Sequence, residues 1–210
     1  MHKKRCDVKY DLCHLSQGET QNVIGPIQDD EALFLFALCK VMMVKNVVEI
    51  GVQSGYSAQN FLKAVGGNGS VIGIDIIETA FRSDRFTFIN SCAGAVQPEQ
   101  IPWNIDLLFF DSHSEYAQKK FFENMRTAGK ITDETIIALH DTGLHPAGVG
   151  IGVKLGDGYA HQPVERMLSN WLVSCGYSPF HAHTNISKHN DKLPFRHGLT
   201  ILCKQKILEV

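Results

Sequence analysis

The sequence has no long apolar run, no closely paired cysteines and no excess of either charge. Its most apolar stretch, Ala32 to Val44, is broken by Lys40 and falls short of the roughly 20 residues that span a bilayer. Met1-His-Lys-Lys-Arg-Cys6 opens with positive charge, but no apolar region follows as a signal peptide requires. The six cysteines (Cys6, Cys13, Cys39, Cys92, Cys175 and Cys203) include no C-x-x-C pair, which argues against a zinc site or a disulfide framework. Buried, reduced thiols are the expectation, and with them a cytoplasmic location. A net charge of −2 offers no electrostatic basis for binding nucleic acid or an anionic membrane. Phosphate-loop chemistry is missing as well, because neither G-K-[ST] nor glycines at relative positions 0, 2 and 5 occur where a strand meets a helix.

What remains suits one folded domain: 210 residues, 44% of them hydrophobic, with no repeat and no low-complexity tract. Residues 1–28 are polar and broken by Gly18, Gly25 and Pro26, so they read as an arm or lid ahead of a domain over 29–210. From Asp29 the pattern turns helical, with Asp29 or Asp30 as cap and Leu33, Phe34, Ala37, Leu38, Val41 and Met42 at helical spacing. This apolar helix is a candidate interface for a homo-oligomer. Short apolar strands follow at Val47–Ile50, Val71–Asp75, Phe86–Ile89, Ile105–Phe110 and Thr135–His140. Helical stretches alternate with them near Ser54–Val65 and Glu115–Ala128. Apolar strands of this length between helices imply a parallel sheet covered on both faces. A further helix near Pro163–Cys175 precedes two late strands, near Tyr177–His183 and Gly198–Cys203, separated by a polar stretch as antiparallel neighbours are. Residues 143–158 hold six glycines and are expected to form neither helix nor strand but a loop, either a mobile lid or a plain connector. His145, Lys154 and Tyr159 are its candidate substrate contacts.

Glu49-Ile-Gly51-Val-Gln-Ser-Gly55 lies between the first strand and a helix, where open α/β sheets bind ligands beyond their strand ends. Glycine there lets the main chain come close to a ligand. The second strand ends in Asp75, placed to accept both hydroxyls of a ribose. Together these features suit a nucleoside that carries no pyrophosphate. The plain alternative is a tight turn at the glycines and a cap at Asp75.

Val47-Val-Glu-Ile-Gly-Val-Gln-Ser-Gly-Tyr-Ser57 resembles the first motif of the class I S-adenosylmethionine-dependent methyltransferases. Phe109-Phe-Asp-Ser-His-Ser-Glu-Tyr116 and Ala138-Leu-His-Asp-Thr-Gly143 narrow the likeness to small-molecule O-methyltransferases related to the macrocin and catechol enzymes. The resemblance runs from about Asp29 to Cys203. It implies an α/β, Rossmann-like, doubly wound sheet of seven strands, mostly parallel with the last antiparallel, and helices on both faces. It also implies that Glu49, Gly51 and Gly55 line the methionine part of S-adenosylmethionine, Ser57 approaches its carboxylate and Asp75 holds its ribose. Cys92 and Ala93 would flank the adenine, and Asp111 would lie near the amino group and the reacting methyl.

Methyl transfer to oxygen requires in-line alignment and removal of a proton. Asp111 and Asp141 end neighbouring strands, so their carboxylates converge on one cleft and are the candidate ligands of a Mg2+-like ion. The resembling metal enzymes present a third oxygen ligand beside the second aspartate. Here its neighbours are His140 and Thr142, and Asp111 serving the donor alone is the alternative. His113 is the candidate base, although the family motif carries its histidine three positions after the aspartate, where this chain has Ser114. His140 reads as a hydrogen-bonded structural residue, and His181, His183, His189 and His197 as solvent-facing or substrate-lining. The leading expectation is methyl transfer to a hydroxyl of a small molecule such as a sugar or secondary metabolite. N-methylation of an amine and a non-catalytic donor-binding scaffold are the alternatives.

Overall fold

The computed structural model describes residues 27, 29–142, 151–155, 158–162, 164–182 and 198–204. Along the chain the elements are α1 (Asp29–Val41), β1 (Asn46–Ile50), α2 (Tyr56–Val65), β2 (Ser70–Asp75), β3 (Phe86–Asn90), β4 (Leu107–Phe110), α3 (Glu115–Thr127), β5 (Ile136–Leu139), β6 (Ile151–Leu155), β7 (Gly158–Gln162), α4 (Val164–Ser174), β8 (Tyr177–Ala182) and β9 (Leu199–Lys204). A seven-stranded sheet runs in the order β3-β2-β1-β4-β5-β9-β8, and β6 pairs with β7 separately. Strands β1 to β5 are mutually parallel, and β9 lies antiparallel between β5 and β8. This is the doubly wound, Rossmann-like architecture anticipated above.

The inner parallel strands β1, β2, β4 and β5 carry apolar residues on both sides, and their period of two divides the core into layers. Val48, Ile50, Ile72, Ile74, Leu108, Phe110, Ile137 and Leu139 face Phe121, Met125, Leu168 and Leu172 of α3 and α4. Their neighbours Val47, Val71, Leu107, Phe109, Ile136 and Ala138 face Leu35, Phe36, Phe61 and Leu62 of α1 and α2. Phe109 meets Phe61 edge to face at 5.3 Å. Truncating either fully buried ring to alanine would cost about 3–5 kcal/mol.

Three expectations change here. The buried face of α1 is Glu31, Ala32, Leu35, Phe36 and Cys39, while Leu33, Val41 and Met42 are exposed. Positions 32–39 are all apolar, so the helix has no polar face from which to set its phase. Second, the glycine-rich stretch contains β6 and the start of β7. Ile151, Val153 and Leu155 alternate along it with the period of a strand, so local patterning outweighed glycine content. The remaining positions of that loop, with His145, lie outside the described residues, as do the side chains of Lys154 and Tyr159. Third, of the described cysteines only Cys39 is buried; Cys92, Cys175 and Cys203 are exposed free thiols. Cys92 follows β3, Cys175 follows α4, and Cys203 sits on the outer side of β9, so none reaches the core. Cys6, Cys13 and nearly all of the 1–28 arm are outside the described residues. Among the described residues no helix is long and apolar enough to cross a membrane.

Candidate active site

The strand order reverses between β1 and β4, and ligands of such sheets bind beyond the carboxyl ends at that point. The ladder continues past the strand ends: Gly51 N–H donates to Ile74 O, Asp111 N–H to Ile50 O and His140 N–H to Phe110 O. The loops carrying these residues are therefore tied to neighbouring strands. Among the described residues four non-glycines adopt positive φ, and three of them, Gln53, His113 and Asp141, stand at these strand ends. Such conformations cost free energy and collect where function requires them.

A cleft of about 290 Å3 opens over β1, β2 and β4, at the small end of the roughly 300–1,000 Å3 range of ligand sites. Gly51, Ser57, Asp75, Cys92, Ala93, Asp111 and His113 line it. Ile76 and Ile77, 73% and 68% exposed, form its apolar lip beside the Asp75 carboxylate. An apolar lip next to a carboxylate is what a purine on a ribose requires, so the residues present fit an adenosyl donor. Asp75 is already engaged: Oδ2 accepts from Val52 N–H and Gln53 N–H, and Oδ1 from Ile77 N–H. A carboxylate has about four acceptor positions. One is left for a ribose hydroxyl, and the rest brace the glycine loop.

Beside the cleft lies a cluster of buried charge. His113 donates Nδ1–H to Glu165 Oε1 at 3.0 Å, and its backbone N–H donates to the same oxygen at 2.9 Å. Its Nε2 lies 3.7 Å from both Asp111 Oδ1 and Asp141 Oδ2. Burial pulls the His113 pKa down, but Glu165, Asp111 and Asp141 outweigh it and raise the value to about 8. His140 is fully buried, with Nδ1 3.2 Å from Asp111 Oδ1 and 3.3 Å from Asp141 Oδ1, and Nε2 3.2 Å from Glu31 Oε2. Burial pulls its pKa down too, yet Asp141, Asp111 and Glu31 hold it well above the ordinary imidazole value. Burial raises Asp111 to about 6 against the pull of His140. Glu31 Oε1 accepts from Gly198 N–H, which fixes the carboxylate from the far side.

Residues 48–142 match a family described as a methyltransferase domain. Over those residues the chain is similar to a methyltransferase domain. None of the curated proteins matches the chain by sequence. Among solved structures, cofactor-bound Rv0187 from MTB is similar with a TM-score of 0.64 at 16% identity, over 91% of this chain and 87% of that one. The O-methyltransferase from Bacillus cereus in complex with SAH has a TM-score of 0.61 at 13% identity, over 95% and 94% of the two chains. The O-methyltransferase TomG from Streptomyces achromogenes, in complex with SAM, has a TM-score of 0.60 at 12% identity, over 96% and 93%. The chain therefore shares the Rossmann-like fold of these proteins.

Within this fold the expected residues divide into two groups. Gly51, Ser57, Asp75, Cys92, Ala93 and Asp111 meet at one cleft. Glu49 and Gly55 stand behind its wall. Glu49 is fully buried, accepts a hydrogen bond from Ser57 Oγ, and has its other oxygen, Oε2, without a partner. Burial raises its pKa well above the usual carboxyl value, and the Ser57 bond only partly offsets this. A Cβ on Gly51 would lie 2.2 Å from the Asp111 carbonyl oxygen, and one on Gly55 2.5 Å from Phe81 Cβ. Both glycines are demanded by the protein's own packing on that side. Asp111 and Asp141 lie side by side after β4 and β5, as their strand positions implied. His140 is hydrogen-bonded as anticipated, but inside this cluster. His181 is exposed and shares a hydrogen bond with Thr200 Oγ1. His183, His189 and His197 lie outside the described residues. Sequence reasoning missed Glu31 and Glu165, both 2% exposed. Glu165 carries a signal, since it precedes Leu168 and Leu172 on the buried stripe of α4.

Proposed function

We propose that this chain transfers a methyl group from S-adenosylmethionine to a hydroxyl oxygen of a small molecule. The observation that carries the reading is the His113–Glu165 pair beside the donor cleft: an oxygen nucleophile must lose a proton, and a neutral amine need not. S-adenosylmethionine supplies an electrophilic methyl on a sulfonium. In this reading Asp75 takes one ribose hydroxyl, Ile76 and Ile77 cover the purine with Cys92 and Ala93, and Gly51 and Ser57 border the methionine end. Glu165 holds the His113 ring with Nδ1–H as donor, which leaves Nε2 to take the acceptor's proton. Asp111 and Asp141 stabilise the resulting imidazolium.

The donor set also fits a divalent ion, because Asp111, His140 and Asp141 each offer a ligand atom within 4.8 Å of the others. Such an ion would supply Lewis acidity, lowering the pKa of an acceptor hydroxyl. The likeness to O-methyltransferases such as TomG supports an oxygen acceptor. Purified protein assayed for S-adenosylhomocysteine release over matched panels of hydroxylated compounds and amines tests the proposal, with products identified by mass spectrometry. O-methylated products that disappear in His113→Gln are expected. Turnover on amines alone would overturn the choice of acceptor, and donor binding with no turnover would favour the scaffold reading.

A further inference from the structure

We propose that a second cavity, between the carboxyl ends of α3 and α4 and the strands β8 and β9, binds a small aromatic carboxylate. The rings of Phe122, Trp171 and Tyr177 take its planar body, and Lys204 takes its charge. The inference goes beyond methyl transfer, and the cavity shares no lining residue with the donor cleft.

Topology sets this cavity at the opposite edge of the sheet. Strand β9 runs antiparallel to β5, pairing Leu139 with Thr200 and Ile137 with Leu202, so Lys204 at its end lies beyond the amino ends of the parallel strands. Helices α3 and α4 start beside the charged cluster and carry Phe122, Arg126 and Trp171 away from it. The cavity holds about 290 Å3, room for about two fused rings. Its walls are aromatic: Phe122 meets Trp171 edge to face at 5.4 Å and Tyr177 at 5.9 Å. Phe122 and Tyr177 are buried, whereas Trp171 is only partly so, and part of its indole is open to stack on a planar ligand. The charges at the cavity are unequal. Arg126 is bonded to Asp133, Lys119 over Trp171 is paired with Glu115, and Glu123 is exposed at the rim. Lys204 Nζ stands 4.9 Å over the Tyr177 ring and donates to Cys175 O at 2.6 Å, with no carboxylate partner among the described residues. An ammonium has three hydrogens to donate, so donors remain for a ligand. Tyr177 is 3% exposed and its Oη has no hydrogen-bond partner, which a buried hydroxyl rarely lacks. Burial pushes the phenol pKa up against the pull of Arg126, so the hydroxyl stays protonated and is a donor in want of an acceptor. An ammonium and a hydroxyl donor set on aromatic walls match a carboxylate on an aromatic ring. A cationic ligand would meet Lys204 and Arg126, and a neutral ring would leave both donors unanswered.

The test uses the full chain, titrated with naphthoate and with naphthamide as its neutral counterpart. The protein has two tryptophans, so heteronuclear NMR of the indole N–H groups reports where either compound binds. The Trp171 signal should move, and that of Trp103, outside the cavity, should stay. Calorimetry should show naphthoate binding about tenfold more tightly than naphthamide. In Lys204→Gln that preference should vanish. Glu123→Gln, which removes a like charge from the rim, should raise naphthoate affinity by about twofold. Tyr177→Phe should weaken naphthoate by roughly two- to tenfold without lowering stability, since the hydroxyl it removes is unpartnered. Movement of Trp103 alone, no binding of naphthoate at millimolar concentration, or an equal preference in the unaltered protein and Lys204→Gln would overturn the inference. Unchanged naphthoate affinity in Tyr177→Phe would overturn the part given to the phenol. Because no methyl donor or acceptor enters these measurements, their outcome is independent of the methyl-transfer reading.

Discussion

Gly51 gives the sharpest test of what the first loop is built for. Its φ is +94°, and a Cβ there would sit 2.2 Å from the Asp111 carbonyl oxygen and 2.5 Å from its carbon. Gly51→Ala therefore combines two costs: roughly 1–2 kcal/mol for a side chain in a left-handed conformation, and about 1–3 kcal/mol for forcing a strand-end backbone aside. Gly129 separates them, because its φ is +73° but nothing lies within 4 Å of the added carbon. Gly129→Ala thus carries the conformational cost alone. Gly67, with open space and no positive φ, sets the baseline and should be neutral or slightly stabilised by alanine. Urea denaturation of donor-free protein reads all three. With a slope of about 1–3 kcal/mol per molar, the Gly51→Ala midpoint should fall roughly 1 M further than that of Gly129→Ala. Equal midpoints for the two variants, with only donor binding lost in Gly51→Ala, would refute the packing argument and return the glycine to the ligand.

Two further outcomes follow from the cleft and the cluster. If His113 Nε2 must be unprotonated to act, kcat/KM should rise as pH increases through about 8, the value to which Glu165 and the aspartates lift it against burial. Glu165→Gln removes the largest upward influence, so the inflection should drop by at least about one unit; an unmoved inflection would exclude His113 as the base. The same shift has a stability sign. Because the folded pKa lies above the ordinary 6.5, the contribution, on the order of 2 kcal/mol, is complete below pH 6.5 and is lost as pH rises through about 8. The exposed Cys92 thiol lines the donor cleft while exposed Cys175 lies outside it. Saturating S-adenosylhomocysteine should slow iodoacetamide labelling of Cys92 and spare that of Cys175, measured by peptide mass spectrometry. Equal labelling of Cys92 with and without the ligand would place the adenine elsewhere.

The residues at strand ends were legible because a parallel strand announces itself. An apolar run that stops at Asp75, at Asp111, or just before Asp141 places a carboxylate at the sheet's carboxyl edge whatever the rest of the chain does. Helix residues of the same site were not legible in this way. Glu31 stood in an acidic first turn, where a carboxylate is ordinarily a cap exposed to water, and its histidine partner lies 109 residues away. The all-apolar run after it left the buried face of α1 undetermined, and the phase inferred for that helix was off for the same reason. Glu165 was recoverable in principle, since a charge on the apolar stripe of α4 must find a partner, but the partner, His113, is 52 residues distant. What helical periodicity cannot report is that two helices on opposite faces of the sheet each insert one carboxylate into the same cluster. Glu31 reaches it from the α1 side and Glu165 from the α4 side, each held on an imidazole that also faces Asp111 and Asp141. Docking of α1 and α4 and the chemistry of the site are thus the same set of contacts, so a substitution that loosens either helix disturbs the histidine it holds before it unfolds the sheet.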